Sequence, residues 1–199
     1  MTLPEAAIRL PAREKWARVP PVSSSRARPS SLTLDAVNRM DRETFVRTLG
    51  GIFENSPWVA EQAWAARSFA GGANLHAAMC DAVRRASRPL QLALLSAHPD
   101  LAGKAARAGA MTVSSIAEQA SAGLDRLTDD EYDRFARLNG AYTAKFGFPF
   151  IIAARRHDKA GILAAFERRL GNMVTEEIAT ALDQVFEITR LRLRALMAP

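Results

Sequence analysis

From residue 33 onward, apolar residues recur at the three- and four-residue spacing of helices, and this periodicity constrains the fold more than any other feature. One such face lies near the end of the sequence and comprises Ile178, Leu182, Val185, Ile188 and Leu191. Neither an alternating strand pattern with turns nor an internal repeat is present. The pattern predicts an all-α, single-domain helical bundle of about seven or eight helices.

Residues that prefer helix ends mark several predicted boundaries. Asp41 can cap a helix whose apolar face continues through Phe45, Leu49, Ile52 and Phe53. Thr128 and Glu131 match a capping box at the start of a long helix that ends at Gly147. Further helices are expected at about 58–66, 75–85 and 89–97, between Asp158 and Gly171, and from Thr175 to about Met197. Residues 148–153 form the only convincing extended stretch.

The first 32 residues differ in composition from the rest. Residues 1–30 hold five of the ten prolines, the Ser23-Ser24-Ser25 run, and six basic against two acidic residues, and so carry +4 of the formal net charge of +6. Such a segment buries too little apolar surface to offset its ordering entropy. We therefore expect residues 1–32 to be a flexible basic extension rich in Pro, Ser and Arg, and residues 33–199 to be the helical domain. A nucleic-acid-contacting arm is the alternative interpretation of this charge.

Cysteine usage and hydropathy limit the cellular setting. The single cysteine, Cys80, excludes an intramolecular disulfide and fits a reducing compartment. No apolar run approaches the roughly 20 residues of a membrane helix, and the N-terminus lacks the apolar core of a secretory signal. We expect a cytoplasmic protein without a membrane partner.

A loop histidine and a helix carboxylate form the candidate active site. His98 follows a predicted helix, and Pro99 disfavours helical geometry at His98, which leaves the imidazole at a helix end where it can face a cleft. Glu118 lies twenty residues further on, where a short turn could bring it beside the imidazole. A histidine paired with a carboxylate suits proton transfer near neutral pH.

Each of these residues also has a purely structural interpretation. Ser115 and Glu118 have the spacing of a capping box, and His98 could simply bond a backbone carbonyl. Arg192 lies one residue from the apolar stripe of the last helix and could point into a cleft or into solvent. His76 and Cys80 are four residues apart, as metal ligands on a helix can be, but no further pair supports them and we expect no metal site.

Several sequence blocks occur in an order and spacing that are specific in combination. They are Leu49-Gly50-Gly51-Ile52-Phe53-Glu54-Asn55-Ser56-Pro57-Trp58, His98-Pro99-Asp100-Leu101-Ala102-Gly103, Ser115-x-x-Glu118-Gln119, Asn139-x-x-Tyr142-x-x-Lys145-Phe146-Gly147-Phe148-Pro149-Phe150-Ile151, and the terminal segment from Thr180 to Leu193. Over residues 33–197 these blocks resemble the 2-oxo-4-hydroxy-4-carboxy-5-ureidoimidazoline (OHCU) decarboxylase family of urate catabolism. The N-terminal extension lies outside the resemblance.

The resemblance implies an all-helical, cofactor-free enzyme, usually a homodimer, that converts OHCU to (S)-allantoin and carbon dioxide. The catalytic histidine of the family falls on His98 and its acidic partner on Glu118. Substrate-contacting positions fall on Pro99, Ser115, Gln119, Phe150, Ile151, Ile152, Ala153, Ala154 and Arg192. The family commonly has glycine where this chain has Arg156, so the loop there is expected to differ in conformation.

In this interpretation His98 is the general acid and base. Glu118 either orients the imidazole or the substrate and raises the basicity of His98, or lies close to the scissile carboxylate and destabilises the ground state. Arg192 is the expected counter-charge of the anionic substrate. The expected partner is therefore a small molecule, with no nucleic acid. Two alternatives remain open: a helical interaction module whose basic arm contacts nucleic acid, and a related decarboxylase that acts on another ureido or imidazolinone acid.

Overall fold

The computed structural model describes residues 32–103 and 111–197. Within those residues the chain forms nine α helices and no β strand, which confirms the all-α prediction. The predicted extension lies outside the described residues except for Leu32, so its flexibility and its boundary with the helical domain stay predictions. Within the same residues, no helix has both the length and the apolar character that crossing a bilayer requires.

The helices follow one another with short connections. They are α1 (Leu34–Arg39), α2 (Arg42–Leu49), α3 (Trp58–Ala63), α4 (Gly72–Arg85), α5 (Arg88–Ser96), α6 (Val113–Ser121), α7 (Asp129–Phe146), α8 (Lys159–Arg169) and α9 (Val174–Met197). Single 3-10 turns follow α3 at Trp64–Ala66 and precede α8 at Ala154–Arg156. The long helix α9 packs against α4, α5 and α7, so its side chains can reach several parts of the molecule.

The predicted helix caps are present. The Asp41 side chain accepts a hydrogen bond from the Thr44 amide at 2.7 Å, and that of Asp158 accepts one from the Gly161 amide at 2.8 Å. Thr128 and Glu131 make both hydrogen bonds of a capping box at the start of α7. Gly147 ends α7 with φ of 79°, a left-handed conformation that glycine adopts at little cost.

One predicted helix boundary differs from the structure. Helix α2 ends at Leu49, so Ile52 and Phe53 are not part of its apolar face, although both are buried in the turn that follows. This turn is tightly packed, because a Cβ atom at Gly50 would lie 2.5 Å from the Val46 carbonyl oxygen. At the predicted extended stretch, residues 149–153 interrupt the helices as irregular backbone.

Aromatic packing holds the irregular segment in the core. The rings of Phe150 and Phe166 stack with centroids 3.8 Å apart, and the Tyr142 ring meets both of them edge-on. All three side chains are almost completely buried. This cluster joins α7, α8 and the segment between them.

A buried ion pair fixes the backbone of the same segment. Arg169 donates from Nε to Glu177 Oε1 at 2.8 Å and from Nη1 to the Ile151 carbonyl oxygen at 2.7 Å. Glu177 also accepts hydrogen bonds from the Tyr142 hydroxyl and from Asn172. Side-chain hydrogen bonds thus hold this irregular backbone where no neighbouring strand does so among the described residues.

Removing the cation of this pair should destabilise the fold. Arg169→Met leaves the Glu177 carboxylate buried without a counter-ion, and we expect the free energy of unfolding to fall by about 3–5 kcal/mol. Arg168→Met, which changes an exposed arginine on the same helix, should alter it by less than about 0.5 kcal/mol. Urea denaturation of both variants measures the difference. Equal urea midpoints for Arg169→Met and Arg168→Met would show that the Arg169–Glu177 pair does not hold this segment.

Candidate active site

The side chain of His98 begins the site. Helix α5 ends at Ser96, and His98 follows two residues later with only 8% of its surface exposed. Its Nδ1 lies 3.0 Å from the Leu94 carbonyl oxygen, and because a carbonyl only accepts, Nδ1 carries the ring proton of the neutral imidazole. Nε2 is buried and has no hydrogen-bond partner among the described residues. The imidazole therefore presents an unused lone pair, which is what a general base requires.

Burial and charge act on the basicity of His98 in opposite directions. Desolvation of the imidazolium lowers the pKa of His98 below its ordinary value, and the Glu54 carboxylate and the Leu94 carbonyl partly oppose this effect. The imidazole is consequently neutral at pH 7.

Polar side chains hold the loop that follows His98. Gln119 accepts a hydrogen bond from the Ala102 amide at 2.9 Å, and Asn139 donates to the Leu101 carbonyl at 2.8 Å. Ala102 has φ of 52°, a left-handed conformation that costs a non-glycine residue about 1 kcal/mol or more. Gln119, predicted to contact substrate, thus also binds the loop that carries His98.

Helix α6 begins one turn earlier than the capping-box interpretation requires. Its N-cap is Thr112, whose hydroxyl accepts from the Ser115 amide at 3.3 Å. The capping-box interpretation of Ser115 and Glu118 is therefore wrong. The Ser115 hydroxyl is instead available to donate to Glu54 Oε2 at 3.0 Å.

Arg192 lies between two carboxylates. It makes a two-point ion pair with Glu118, with Nε and Nη2 each 2.8 Å from a carboxylate oxygen. Nη1 donates to Glu54 Oε2 at 2.8 Å and to the Ile52 carbonyl at 3.4 Å, and Nη2 also lies 3.3 Å from Ser115 Oγ. All five N–H groups of the guanidinium thus have protein acceptors. A substrate anion can bind Arg192 only by displacing one of them.

Glu54 is the residue of this site that the sequence interpretation missed. It lies in the turn after α2, is 2% exposed, and receives hydrogen bonds from Thr112, Ser115 and Arg192. Its position falls within one of the quoted sequence blocks, but the periodicity of Ile52 and Phe53 placed this turn on a helix. The adjacent string of Asn55, Ser56 and Pro57 was the available signal of a turn.

The predicted relation between Glu118 and His98 needs a correction. The Leu94 carbonyl, not Glu118, orients the imidazole. The carboxylate that raises the pKa of His98 is Glu54. Glu118 lies on the same cleft as His98, where its carboxylate is held by Arg192.

The candidate site is one cleft that is partly open to solvent. Its lining comprises His98, Pro99, Leu101, Ser115, Glu118, Gln119, Phe150, Ile151, Ile152, Ala154, Ile188 and Arg192. The structure therefore brings together all the predicted site residues except Ala153, whose amide instead donates to Gln184 Oε1 at 3.0 Å.

The other predicted features lie elsewhere. His76 is hydrogen-bonded to Thr189 at 3.0 Å and contacts Cys80, and the described residues contain no group of three or more His, Cys, Asp or Glu side chains that could hold a metal ion. Arg156 ends the 3-10 turn before α8, and its Nε donates to Glu187 at 2.9 Å.

Comparisons with known proteins identify the family of the chain. The model of the OHCU decarboxylase family matches residues 38–194. A Haloferax volcanii protein named 2-oxo-4-hydroxy-4-carboxy-5-ureidoimidazoline decarboxylase is 48% identical over 162 residues, which cover 81% of this chain and 94% of that protein. The uric acid degradation bifunctional protein PucL of Bacillus subtilis is 40% identical over 161 residues, which cover 81% of this chain and 32% of that longer protein.

A solved structure is similar as well. The crystal structure titled (S)-allantoin synthase superposes with a TM-score of 0.66 at 33% identity, covering 83% of this chain and 54% of that one. Sequence, fold and the residues around the cleft lead to one assignment: this chain belongs to the OHCU decarboxylase family.

Proposed function

We propose that the protein decarboxylates OHCU to (S)-allantoin and carbon dioxide in urate degradation. The observation that carries the proposal is the unpartnered Nε2 of His98, which belongs to a cleft that also presents a carboxylate and a guanidinium. Membership of the family and the names of the relatives support the choice of substrate.

The chemistry of OHCU explains why proton transfer is sufficient. The carbon that bears the carboxylate also bears a hydroxyl and adjoins a C=N carbon. When carbon dioxide leaves, the electron pair of the broken bond forms a C=C bond, and the C=N electrons move to nitrogen, which takes a proton. A proton then adds to the former imine carbon while the hydroxyl loses its proton and becomes a carbonyl. The substrate is its own electron sink.

The residues of the cleft have distinct roles in this proposal. His98 Nε2 accepts the hydroxyl proton and returns a proton to one face of the enamine, which sets the S centre. Glu118, held ionically by Arg192, orients the substrate or repels the carboxylate that leaves. Phe150, Ile151, Ile152 and Ala154, which are predicted to contact substrate, line the same cleft together with Ile188.

Turnover of OHCU by the wild type and by His98→Asn tests the proposal. OHCU generated enzymatically from urate is followed by circular dichroism, with the uncatalysed decay subtracted. We expect fast, enantioselective formation of allantoin by the wild type and a kcat at least about 100-fold lower for His98→Asn, because asparagine can bond the Leu94 carbonyl but cannot act as the base.

His157→Asn, at an exposed histidine outside the cleft, is the matched control and should keep wild-type kcat. A wild-type protein that leaves the decay of OHCU unchanged would overturn the proposed function. Near-normal turnover by folded His98→Asn would overturn the role of His98.

A carboxylate is also required at position 118. Glu118→Gln removes no helix cap, because Thr112 caps α6, and Arg192 keeps Glu54 as its counter-ion. We therefore expect a folded protein with a lower kcat/KM. The fall should correspond to a loss of about 2–4 kcal/mol of transition-state stabilisation. Steady-state kinetics beside a thermal melt separate the two effects, and a fully active variant would limit Glu118 to a structural role.

We also propose that the protein is a homodimer, as the family resemblance implies. Large apolar side chains that remain exposed support it: Val113 at 84% and Ile116 at 44% on α6, and Met173 at 72% before α9. Sedimentation equilibrium should give about twice the 21.7 kDa mass of the chain. A single chain mass at micromolar concentration would exclude the dimer.

A further inference from the structure

Glu54 is the buried charge of the cleft region that the proposed chemistry does not use. Its carboxylate oxygens accept hydrogen bonds from Thr112 Oγ1 at 2.8 Å, Ser115 Oγ at 3.0 Å and Arg192 Nη1 at 2.8 Å. It does not line the cleft. A carboxylate with so many donors in the interior joins the elements that carry those donors.

The elements that Glu54 joins are the ones that carry the proposed catalytic groups. Thr112 and Ser115 form the first turn of α6, which carries Glu118 one turn later. Arg192 on α9 holds the Glu118 carboxylate at two points. The residue next to Glu54, Asn55, reaches the His98 loop through a hydrogen bond to the Ala97 carbonyl at 3.4 Å. This turn is therefore hydrogen-bonded both to the elements that hold Glu118 and to the loop that carries His98.

The second observation concerns the charged side chains near His98. Among the described residues, the charged side chains that act on the His98 ring or share its cleft are Glu54 from the turn, Arg192 from α9 and Glu118 from α6. Asp100 lies two residues further along the same loop. Of these, Glu54 is the carboxylate that opposes the lowering of the pKa of His98 by burial, while Arg192 reinforces that lowering.

We propose that Glu54 is a positioning residue of this active site: it holds Arg192 and the start of α6 in register with the His98 loop, and it fixes a negative charge near that loop. It contacts neither the reacting atoms nor the cleft, and acts through Arg192, Ser115 and His98. The kinetic part of this inference rests on the proposed function, whereas the effect on the imidazole does not.

Glu54→Gln tests the proposal because it removes the charge and keeps the size. An amide oxygen at the Oε2 position can still accept from Arg192 and Ser115, and the Thr112 hydroxyl can rotate to accept from an amide nitrogen at the Oε1 position. A neutral amide holds Arg192 less strongly than a carboxylate does, so we expect Arg192 and α6 to shift and kcat to fall by about 100-fold, the loss that follows a misplacement of catalytic groups by about 1 Å. Loss of the nearby anion should also lower the pKa of His98.

The sign of the pH effect follows from the role of His98 as a base. The neutral imidazole is the active form, so kcat/KM falls as the pH drops through the pKa of His98. In the wild type this acid limb should lie below the ordinary histidine value, since burial lowers that pKa. In Glu54→Gln it should move to still lower pH.

An NMR titration of the His98 ring measures the same shift without substrate. The resonance is assigned by its loss in His98→Asn. If the wild type does not turn over OHCU but the His98 titration still moves to lower pH in Glu54→Gln, the proposed function fails and the electrostatic role of Glu54 stands.

Two further variants separate charge from position. Glu54→Asp keeps the charge but is one methylene shorter, so the His98 titration should stay near that of the wild type while kcat still falls. Glu43→Gln, at an exposed carboxylate on α2, should change neither. If Glu54→Gln does not fold, the kcat of Glu54→Asp alone decides whether Glu54 is a positioning residue. Wild-type kcat in folded Glu54→Gln or in Glu54→Asp, or an unmoved His98 titration in folded Glu54→Gln, would overturn the proposal.

Discussion

The cleft depends on one buried guanidinium. Arg192 bonds Glu118 on α6 and both Glu54 and the Ile52 carbonyl in the turn after α2, groups that lie 74 to 140 residues away in the chain. Taking two carboxylates out of water is costly, and a shared, fully hydrogen-bonded cation offsets much of that cost. Because every donor of Arg192 is engaged, its position determines where α6 and its carboxylate stand relative to His98.

A second buried arginine, Arg169, supports another part of the cleft lining. Residues 150–152 line the cleft and have irregular backbone. Arg169, which is paired with Glu177, donates a hydrogen bond to the Ile151 carbonyl. Irregular backbone leaves its polar groups without regular partners, so side chains must supply them. In both places a buried arginine ties active-site backbone to a neighbouring helix.

Local chemistry explains which parts of the fold could be predicted from the sequence. Asp41, Thr128 and Asp158 cap helices where the pattern places them, because a cap is an interaction within four residues. The choice between Thr112 and Ser115 as the cap of α6 could not be made this way. Both are good capping residues, and both hydroxyls also donate to Glu54, which lies 58 and 61 residues away in the chain and is visible to no local pattern. A turn carboxylate has no periodicity to reveal it.

The hydrogen bond between His98 Nδ1 and the Leu94 carbonyl has a consequence for motion during turnover. That bond uses a proton which the ring carries in both its neutral and its cationic form, so Nε2 can gain and lose a proton while the anchor remains intact. The base can therefore change its charge without changing its rotamer, and little reorganisation of heavy atoms is needed on the protein side of each proton transfer. The end of α5 thus keeps the imidazole in one position while its charge changes.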